Sequence, residues 1–186
     1  MGIMDIIRTR RSIRNFKSDP IEDEKLLTIL EAARWAPSWA NTQCWEFVVV
    51  KSAEVKEKLA ETLTPNNPAT NAVKNAPVVI VACAKLWVSG YLRGRQVTDK
   101  GDWFMFDVAL ALQNLVLAAW SLGLGTVYVG AFDAKKAADV LGVPSGITVV
   151  ALVPLGYPFE VPREPPKRKE LRDFVYIDKY GNKMLT

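Results

Sequence analysis

Trp103–Leu122, WFMFDVALALQNLVLAAWSL, is the stretch of sequence that decides the fold predicted for this chain. It contains neither Gly nor Pro, and Asp102 in front of it is a candidate N-cap. A helix of this length is about 30 Å long, and apolar residues cover nearly its whole circumference. Such a helix is buried in a protein core or spans a membrane. We favour a buried helix, because Asp107, Gln113 and Asn114 lie where polar groups are costly in lipid.

The composition is that of a globular protein, with 186 residues of which 49% are hydrophobic and 24% charged. We predict a single domain over residues 1–186, with the long helix packed on its own sheet and on a second subunit. There are two cysteines and no His, which excludes a His-based triad and histidine acid–base catalysis and predicts no metal site. The N-terminus lacks the pattern of a secretory signal, so we expect a reducing cytoplasm.

Hydrophobic periodicity predicts helices and strands on both sides of the long helix. Helices are expected over residues 3–11, 22–34, 53–62 and 134–141, and strands over 45–51, 78–84, 126–129 and 147–155. The run 78–84 is rich in β-branched residues, as is typical of a buried central strand. Residues 85–101 are expected to form a long irregular loop. The four prolines after Gly156 predict an extended arm.

A basic cluster, RTRRSIR, occupies residues 8–14. Its guanidinium and hydroxyl groups suit a phosphate, because Arg is always charged and can donate in a bidentate manner. A solvated basic face is the ordinary alternative. Nucleic acid is a third, but aromatic residues are not interleaved and no further basic stripe follows. A second basic run, Lys167-Arg168-Lys169, lies in the tail, and the arm could bring it to the same anion.

Two further segments carry polar or glycine-rich loops. The loop 37–43, PSWANTQ, places hydroxyl and amide side chains between Trp39 and Trp45. It could bind and stack on a polar heterocycle, or it could simply connect a helix to a strand. The run Gly123-Leu124-Gly125 is not a dinucleotide-binding fingerprint, because that motif requires strand, glycines and helix in this order. Here the glycines follow a helix, so we predict a helix C-cap and a tight turn.

Taken together, these segments resemble the nitroreductase family of FMN-dependent oxidoreductases. RRSIR (10–14), APSWANTQCWEFVVV (36–50), GLGTVYVGAFD (123–133) and LGVPSGITVVALVPLGYP with the trailing PPKRK (141–169) fall in the order of that family. The resemblance implies an α+β, nitroreductase-like fold. It has a mostly antiparallel central sheet of about four to five strands flanked by helices. It also implies an intertwined homodimer with one FMN in each of two interface pockets.

The resemblance assigns a role to each matching residue. The phosphate-binding run of the family matches Arg10, Arg11, Ser12 and Arg14. The loop that reaches the flavin, commonly from the partner subunit, matches Pro37, Ser38, Trp39 and Asn41. The segment against one face of the isoalloxazine matches Tyr128, Val129, Gly130 and Ala131. The tail that supplies basic groups to the phosphate matches Lys167, Arg168 and Lys169. A pair that contacts flavin in some members is similar to Asn71 and Lys74.

The implied activity is the reduction of a nitroaromatic, quinone or other electrophilic small molecule by NADH or NADPH. The flavin N5 carries the chemistry in a ping-pong mechanism, so no catalytic side chain is expected. Reductive dehalogenation and a flavin-consuming reaction are alternatives on the same fold, and a non-enzymatic anion or nucleic-acid binder is a more remote one. We expect neither nucleic-acid binding nor membrane association. The interpretation requires the two basic ends of the chain to meet, and we expect this across a subunit boundary.

Overall fold

The structure is a computed structural model that describes residues 2–162 and 164–184. Within these residues, the centre is a four-stranded antiparallel sheet in the order β1-β2-β6-β5. Its strands are β1 (Trp45–Val50), β2 (Val78–Lys85), β5 (Gly125–Thr126) and β6 (Ile147–Gly156). The predicted central strand is β2, which lies between β1 and β6. The predicted α+β class and antiparallel sheet are confirmed.

In the described part of the chain, six α-helices surround this sheet. They are α1 (Ile3–Thr9), α2 (Asp23–Arg34), α3 (Ala53–Glu61), α4 (Thr70–Asn75), α5 (Phe104–Ser121) and α6 (Ala134–Leu141). Successive residues of β2 point to opposite faces of the sheet. Ile80 therefore packs with α2 and α5, whereas Val79 and Val81 pack with α3, α4 and α6. The sheet thus separates two apolar layers.

The long helix of the sequence prediction is α5. Asp102 is not its N-cap, because Trp103 holds that position. The Asp102 carboxylate instead accepts hydrogen bonds from the Phe104 N–H at 3.2 Å and the Trp87 N–H at 2.5 Å. By length and a mean hydropathy of 1.4, α5 could cross a bilayer, as many core helices could. One side of α5 lies in the apolar layer shared with α2 and the sheet.

Within the single chain α5 is buried on one side, and its predicted packing on a second subunit stays a prediction. Met105 is 57% exposed and Phe106 is 55% exposed, and Ala109 and Gln113 are also exposed. Met105, Phe106 and Ala109 continue the apolar surface of α5 away from the sheet. The sequence cannot separate a face that packs within the chain from one that does not, because both are apolar.

Two segments outside the predicted helices and strands contain regular structure. The turn-rich stretch after α3 leads into α4. Residues 85–101 hold a hairpin of β3 (Tyr91–Leu92) and β4 (Arg95–Gln96), so the predicted irregular loop is wrong. The hairpin turn has positive φ at Arg93 (50°) and Gly94 (74°). Positive φ at both positions is the geometry that suits a two-residue hairpin, but the usual Asn-Gly or Asp-Gly signal is missing here.

Candidate functional site

The basic segment after α1 and the tail of the chain line one cavity of about 290 Å³. The helix α1 ends at Thr9, two residues earlier than predicted, so Arg10 and Arg11 are outside it. The lining residues are Arg10, Arg11, Ser12, Arg14, Pro162, Glu164, Pro166 and Arg168. The two basic ends therefore meet within one chain, and the expectation of a meeting across a subunit boundary is wrong for this cavity. Of the three tail cations, Arg168 is in the lining and Lys167 and Lys169 are not.

Two buried guanidinium nitrogens of this segment have no hydrogen-bond partner within the described residues. They are Nη1 of Arg10 and Nε of Arg11. The Nη1 group of Arg11 is fixed, because it donates to the main-chain oxygens of Arg8 at 2.7 Å and Arg10 at 2.9 Å. A buried donor without an acceptor costs about 1–3 kcal/mol, and more when it is charged. The unpaired donors therefore indicate an anion as the missing acceptor, and phosphate suits them best.

The sheet edge holds this segment in place. Ser12 forms a parallel bridge with Thr126 of β5, and the Ile13 N–H donates to the Thr126 carbonyl at 2.9 Å. The side chain of Ile13 packs directly over Gly125, where a Cβ atom would lie 2.6 Å from Ile13 Cγ1. Gly125 is thus required for this close approach. Gly123, at φ 79°, follows the C-cap residue Leu122 of α5, in the tight turn that the sequence predicted.

The cavity continues toward α4. A second cavity of about 320 Å³ is lined by Arg14, Asn15, Phe16, Asn71, Asn75 and Phe159. A smaller one of about 160 Å³ shares residues with both and adds Glu160 of the tail. Because Arg14 borders all three cavities, we treat them together as one groove from Arg10 to Asn75. Hereafter this is the basic groove.

Of the predicted Asn71–Lys74 pair, only Asn71 lines the basic groove. Lys74 forms an exposed ion pair with Glu57 of α3 at 2.5 Å. Asn75 lines the basic groove in addition to Asn71, and the two residues are four apart on one face of α4. Asn75 was not predicted as a site residue, because the sequence pattern does not predict the short helix α4.

Tyr128, Val129 and Gly130 line a separate, mainly apolar cavity of about 380 Å³. Its other lining residues come from α5 and β6 and are Met105, Val108, Ala109, Leu112, Gln113, Val150 and Ala151. The strand predicted over 126–129 is wrong beyond Thr126, although Val129 rejoins the sheet by pairing with Leu152. The Tyr128 hydroxyl donates to Oε1 of Gln113 at 3.3 Å, and partial burial raises the pKa of Tyr128 to about 12.

The loop with Pro37, Ser38, Trp39 and Asn41 lies at the N-terminal end of α5 and lines neither of these cavities. Trp39–Asn41 form a 3-10 turn, and positive φ values occur at Ala40 (44°), Asn41 (55°) and Gln43 (47°). The buried carboxylate of Asp107 accepts a hydrogen bond from the Trp39 N–H at 2.9 Å. From the sequence, Asp107 is recognisable only as a polar residue in an apolar helix. Its contact with Trp39 joins residues that are 68 positions apart, so no local pattern predicts it.

The structure therefore defines an α+β protein whose antiparallel sheet positions a basic groove between the start and the tail of the chain.

Comparison with known sequences agrees with this class. The sequence profile of the nitroreductase family matches residues 7–157. A protein of Archaeoglobus fulgidus, whose assigned name proposes an NADH dehydrogenase or NAD(P)H nitroreductase, is 36% identical over 179 residues. The alignment covers 94% of this chain and 90% of that relative. The chain belongs to the nitroreductase family.

Solved structures support the same family. A nitroreductase family protein from Clostridium novyi NT is 34% identical, with a TM-score of 0.77 over 98% of this chain and 97% of that chain. An FMN-dependent nitroreductase from Clostridium difficile is 28% identical, with a TM-score of 0.79 over 95% of this chain and 99% of that one. The family resemblance identified from the four sequence segments is confirmed, and with it the nitroreductase-like fold.

Proposed function

We propose that this chain is an FMN-dependent oxidoreductase that uses NADH or NADPH to reduce nitroaromatic, quinone or other electrophilic small molecules. The observation that carries the proposal is the pair of buried, unpartnered nitrogens of Arg10 and Arg11, two residues that line the basic groove. Family membership supports the enzyme class and the cofactor. The substrates and the kinetic mechanism are inferred from the chemistry of that class.

The residues of the basic groove fit FMN. A phosphomonoester carries close to two negative charges near neutral pH, and Arg10, Arg11 and Arg168 supply cationic donors at one end of the groove. Ser12 adds a hydroxyl donor there. At the other end, Asn71 and Asn75 offer amide donors and acceptors that suit a polar heterocycle. These residues would hold the cofactor by its phosphate and orient its ring.

When bound, FMN supplies the hydride and electron transfer. The side chains bind and orient the reactants. The chain contains no His, so we assign protons to solvent rather than to a side-chain acid. Tyr128, Val129 and Gly130 border the apolar cavity and would contact one face of the ring system. Donor and acceptor would bind in turn beside these residues, so the proposed mechanism is ping-pong.

We also propose that the active species is a homodimer. In the single chain, large apolar side chains are exposed on the tail and on α1, among them Tyr180 at 91%, Phe159 at 72% and Ile3 at 66%. Exposed apolar patches of this kind mark interaction surfaces. A second copy would cover them and would bring the loop 37–41 of one protomer toward the groove of the other.

The remaining expectations on partners and location are also proposals. The arginines line a small cavity of about 290 Å³ with Glu164 among its lining residues, which suits a small anion better than a nucleic-acid backbone. Cys44 and Cys83 are free thiols, in keeping with a reducing cytoplasm.

The test is a visible absorption spectrum of the purified protein after addition of FMN, followed by initial rates of NADH and NADPH oxidation. We expect bound flavin, and parallel double-reciprocal lines with a quinone or a nitroaromatic as acceptor. A haloaromatic acceptor, and an assay for loss of flavin in air, test the two alternative chemistries of the fold. Protein without flavin absorbance after incubation with FMN and desalting would refute the proposal.

A further inference from the structure

Asp107 is a fully buried acid in the first turn of α5, with 0% of its surface exposed. Its Oδ1 atom accepts from the Trp39 N–H at 2.9 Å. Its Oδ2 atom lies 3.3 Å from the Thr42 hydroxyl oxygen and 3.6 Å from the Cys44 sulfur, both of which donate to it. All three donors belong to the loop between α2 and β1. The ion pairs of the described residues do not include Asp107, so these donors compensate its burial.

The loop that Asp107 contacts is strained. Ala40, Asn41 and Gln43 all have positive φ, which costs about 1–3 kcal/mol for each such residue other than glycine. Within the loop, Ser38 Oγ accepts from the Gln43 N–H at 2.9 Å and Asn41 Oδ1 accepts from Gln43 Nε2 at 3.2 Å. Two main-chain bonds close its 3-10 turn, from the Asn41 N–H to the Ser38 carbonyl at 3.1 Å and from the Thr42 N–H to the Trp39 carbonyl at 3.0 Å. Such a conformation persists only when its surroundings fix it. The Asp107 carboxylate lies outside the loop and fixes its conformation at both Trp39 and Thr42.

We propose that Asp107 is a positioning residue, whose buried carboxylate holds the loop 38–44 in the conformation that contacts the cofactor. Asp107 acts through the loop, because it lines neither the basic groove nor the apolar cavity, although its neighbour Val108 lines the latter. A buried carboxylate is expensive in a core where an apolar residue would pack well. A role in fixing the loop explains why α5 keeps a buried carboxylate at this position despite its free-energy cost. The inference rests on the proposed function for the cofactor and for the homodimer that brings the loop to it.

The test compares two variants that both remove the charge. Asp107→Asn keeps a carbonyl oxygen for the Trp39 N–H, and its amide group can donate to the Thr42 hydroxyl. Asp107→Leu has a similar size but no acceptor. The matched control is Asn114→Ala, two turns later on α5, which removes a bond from Asn114 Nδ2 to the Ala32 carbonyl at 3.2 Å without touching the loop.

Two measurements on the FMN-free protein report the loop itself. Chymotrypsin cleavage after Trp39, identified by mass spectrometry, measures opening of the loop. The rate at which a thiol reagent labels Cys44 measures exposure of the end of the loop. The buried Cys83 is the internal reference. For Asp107→Leu we expect both rates to rise at least about tenfold, as suits the loss of a hydrogen bond to a charged group. Asp107→Asn and Asn114→Ala should stay within about threefold of the wild type.

A third measurement is the dissociation constant of FMN, which should rise at least about tenfold for Asp107→Leu and be restored by Asp107→Asn. A folded Asp107→Leu protein with an unchanged cleavage rate and unchanged FMN affinity would overturn the proposal. So would Asp107→Asn behaving like Asp107→Leu. If Asp107→Leu does not fold, Thr42→Val decides, since it removes one donor and should raise cleavage after Trp39 measurably.

The two proposals fail in different ways. If the wild-type protein binds no FMN, the proposed function fails, while cleavage and labelling still measure the anchoring of the loop. If FMN binds but the loop stays protected in Asp107→Leu, the role of Asp107 fails and the proposed function stands.

Discussion

Arg168 and Lys167 are adjacent in the tail, but only Arg168 lines the basic groove. We predict that Arg168→Ala weakens FMN binding at least about tenfold, because it removes a charged donor to the phosphate. Lys167→Ala, which removes the same charge from the chain, should change the affinity less than about threefold. Calorimetric titration at fixed ionic strength measures both. Equal losses in the two variants would show that the tail acts by net charge and not through a defined contact.

At the scale of single residues, the sequence predicted what local chemistry makes visible. Arg10, Arg11, Ser12 and Arg14 are adjacent in the chain, so their shared cavity was predictable from the motif. Which of the three tail cations lines the groove was not predictable, because an irregular segment without a sequence period leads to Arg168. Asp107 was recognised only as a polar residue in an apolar helix. Its contacts to Trp39 and Thr42 span more than 60 residues and exist only in the folded chain.

At the scale of elements, a polar cluster joins the start of α2 to the end of β6. The Tyr157 hydroxyl donates to Oε2 of Glu22 at 2.5 Å and accepts from Lys25 Nζ at 2.6 Å. The bond from Tyr157 is the largest cause that lowers the pKa of Glu22 to about 2. A carboxyl whose pKa is lowered on folding stabilises the protein above its unfolded pKa and loses that contribution as the pH falls.

We therefore predict that Tyr157→Phe lowers the urea midpoint at pH 7 and that its difference from the wild type shrinks below about pH 4.5. Titrating urea at several pH values between 7 and 3 measures this. Tyr91→Phe, in the β3–β4 hairpin, is the matched control and should show no pH-dependent difference. A constant difference for Tyr157→Phe across this range would mean that the phenol acts by packing alone.

The contact between the N-terminal segment and β5 gives a second prediction at this scale. A methyl group at Gly125 would lie 2.6 Å from Ile13 Cγ1 and 2.8 Å from Ile13 Cβ. Gly125→Ala should destabilise the protein by about 1–3 kcal/mol, as overpacking of a core does. Gly130→Ala is the control, because a Cβ there meets nothing within 4 Å. Denaturant unfolding compares them, and equal stability of the two variants would contradict the close packing of Ile13 on Gly125.

Among the elements, strong periodicity was predictable and short structure was not. The helix α6 has the predicted bounds, with Asp133 accepting from the Lys136 N–H at its start and Gly142 in the left-handed region after it. Apolar length identified α5 and β2. The helix α4 has six residues, and β3 and β4 have two each. Elements of that length carry too few positions for a period, so tertiary contacts rather than propensity define them.

At the scale of the whole molecule, the exposed apolar side chains of α1, α5 and the tail suit an interaction surface. We predict a homodimer of about twice the 20.7 kDa chain mass in sedimentation at micromolar concentration. The dimer should persist without FMN, because Phe159 is the one exposed large apolar residue described on α1, α5 and the tail that also lines the basic groove. A monomer at tens of micromolar would contradict it.

The central claim is that the two basic ends of one chain form a phosphate site for a flavin mononucleotide. Titration of the flavin-free protein with FMN and with riboflavin, which lacks only the phosphate, tests it most directly. Two buried charged donors gain an acceptor with FMN, so we predict that FMN binds at least about a hundredfold more tightly than riboflavin. Equal affinity for the two flavins, or binding of neither, would contradict the account.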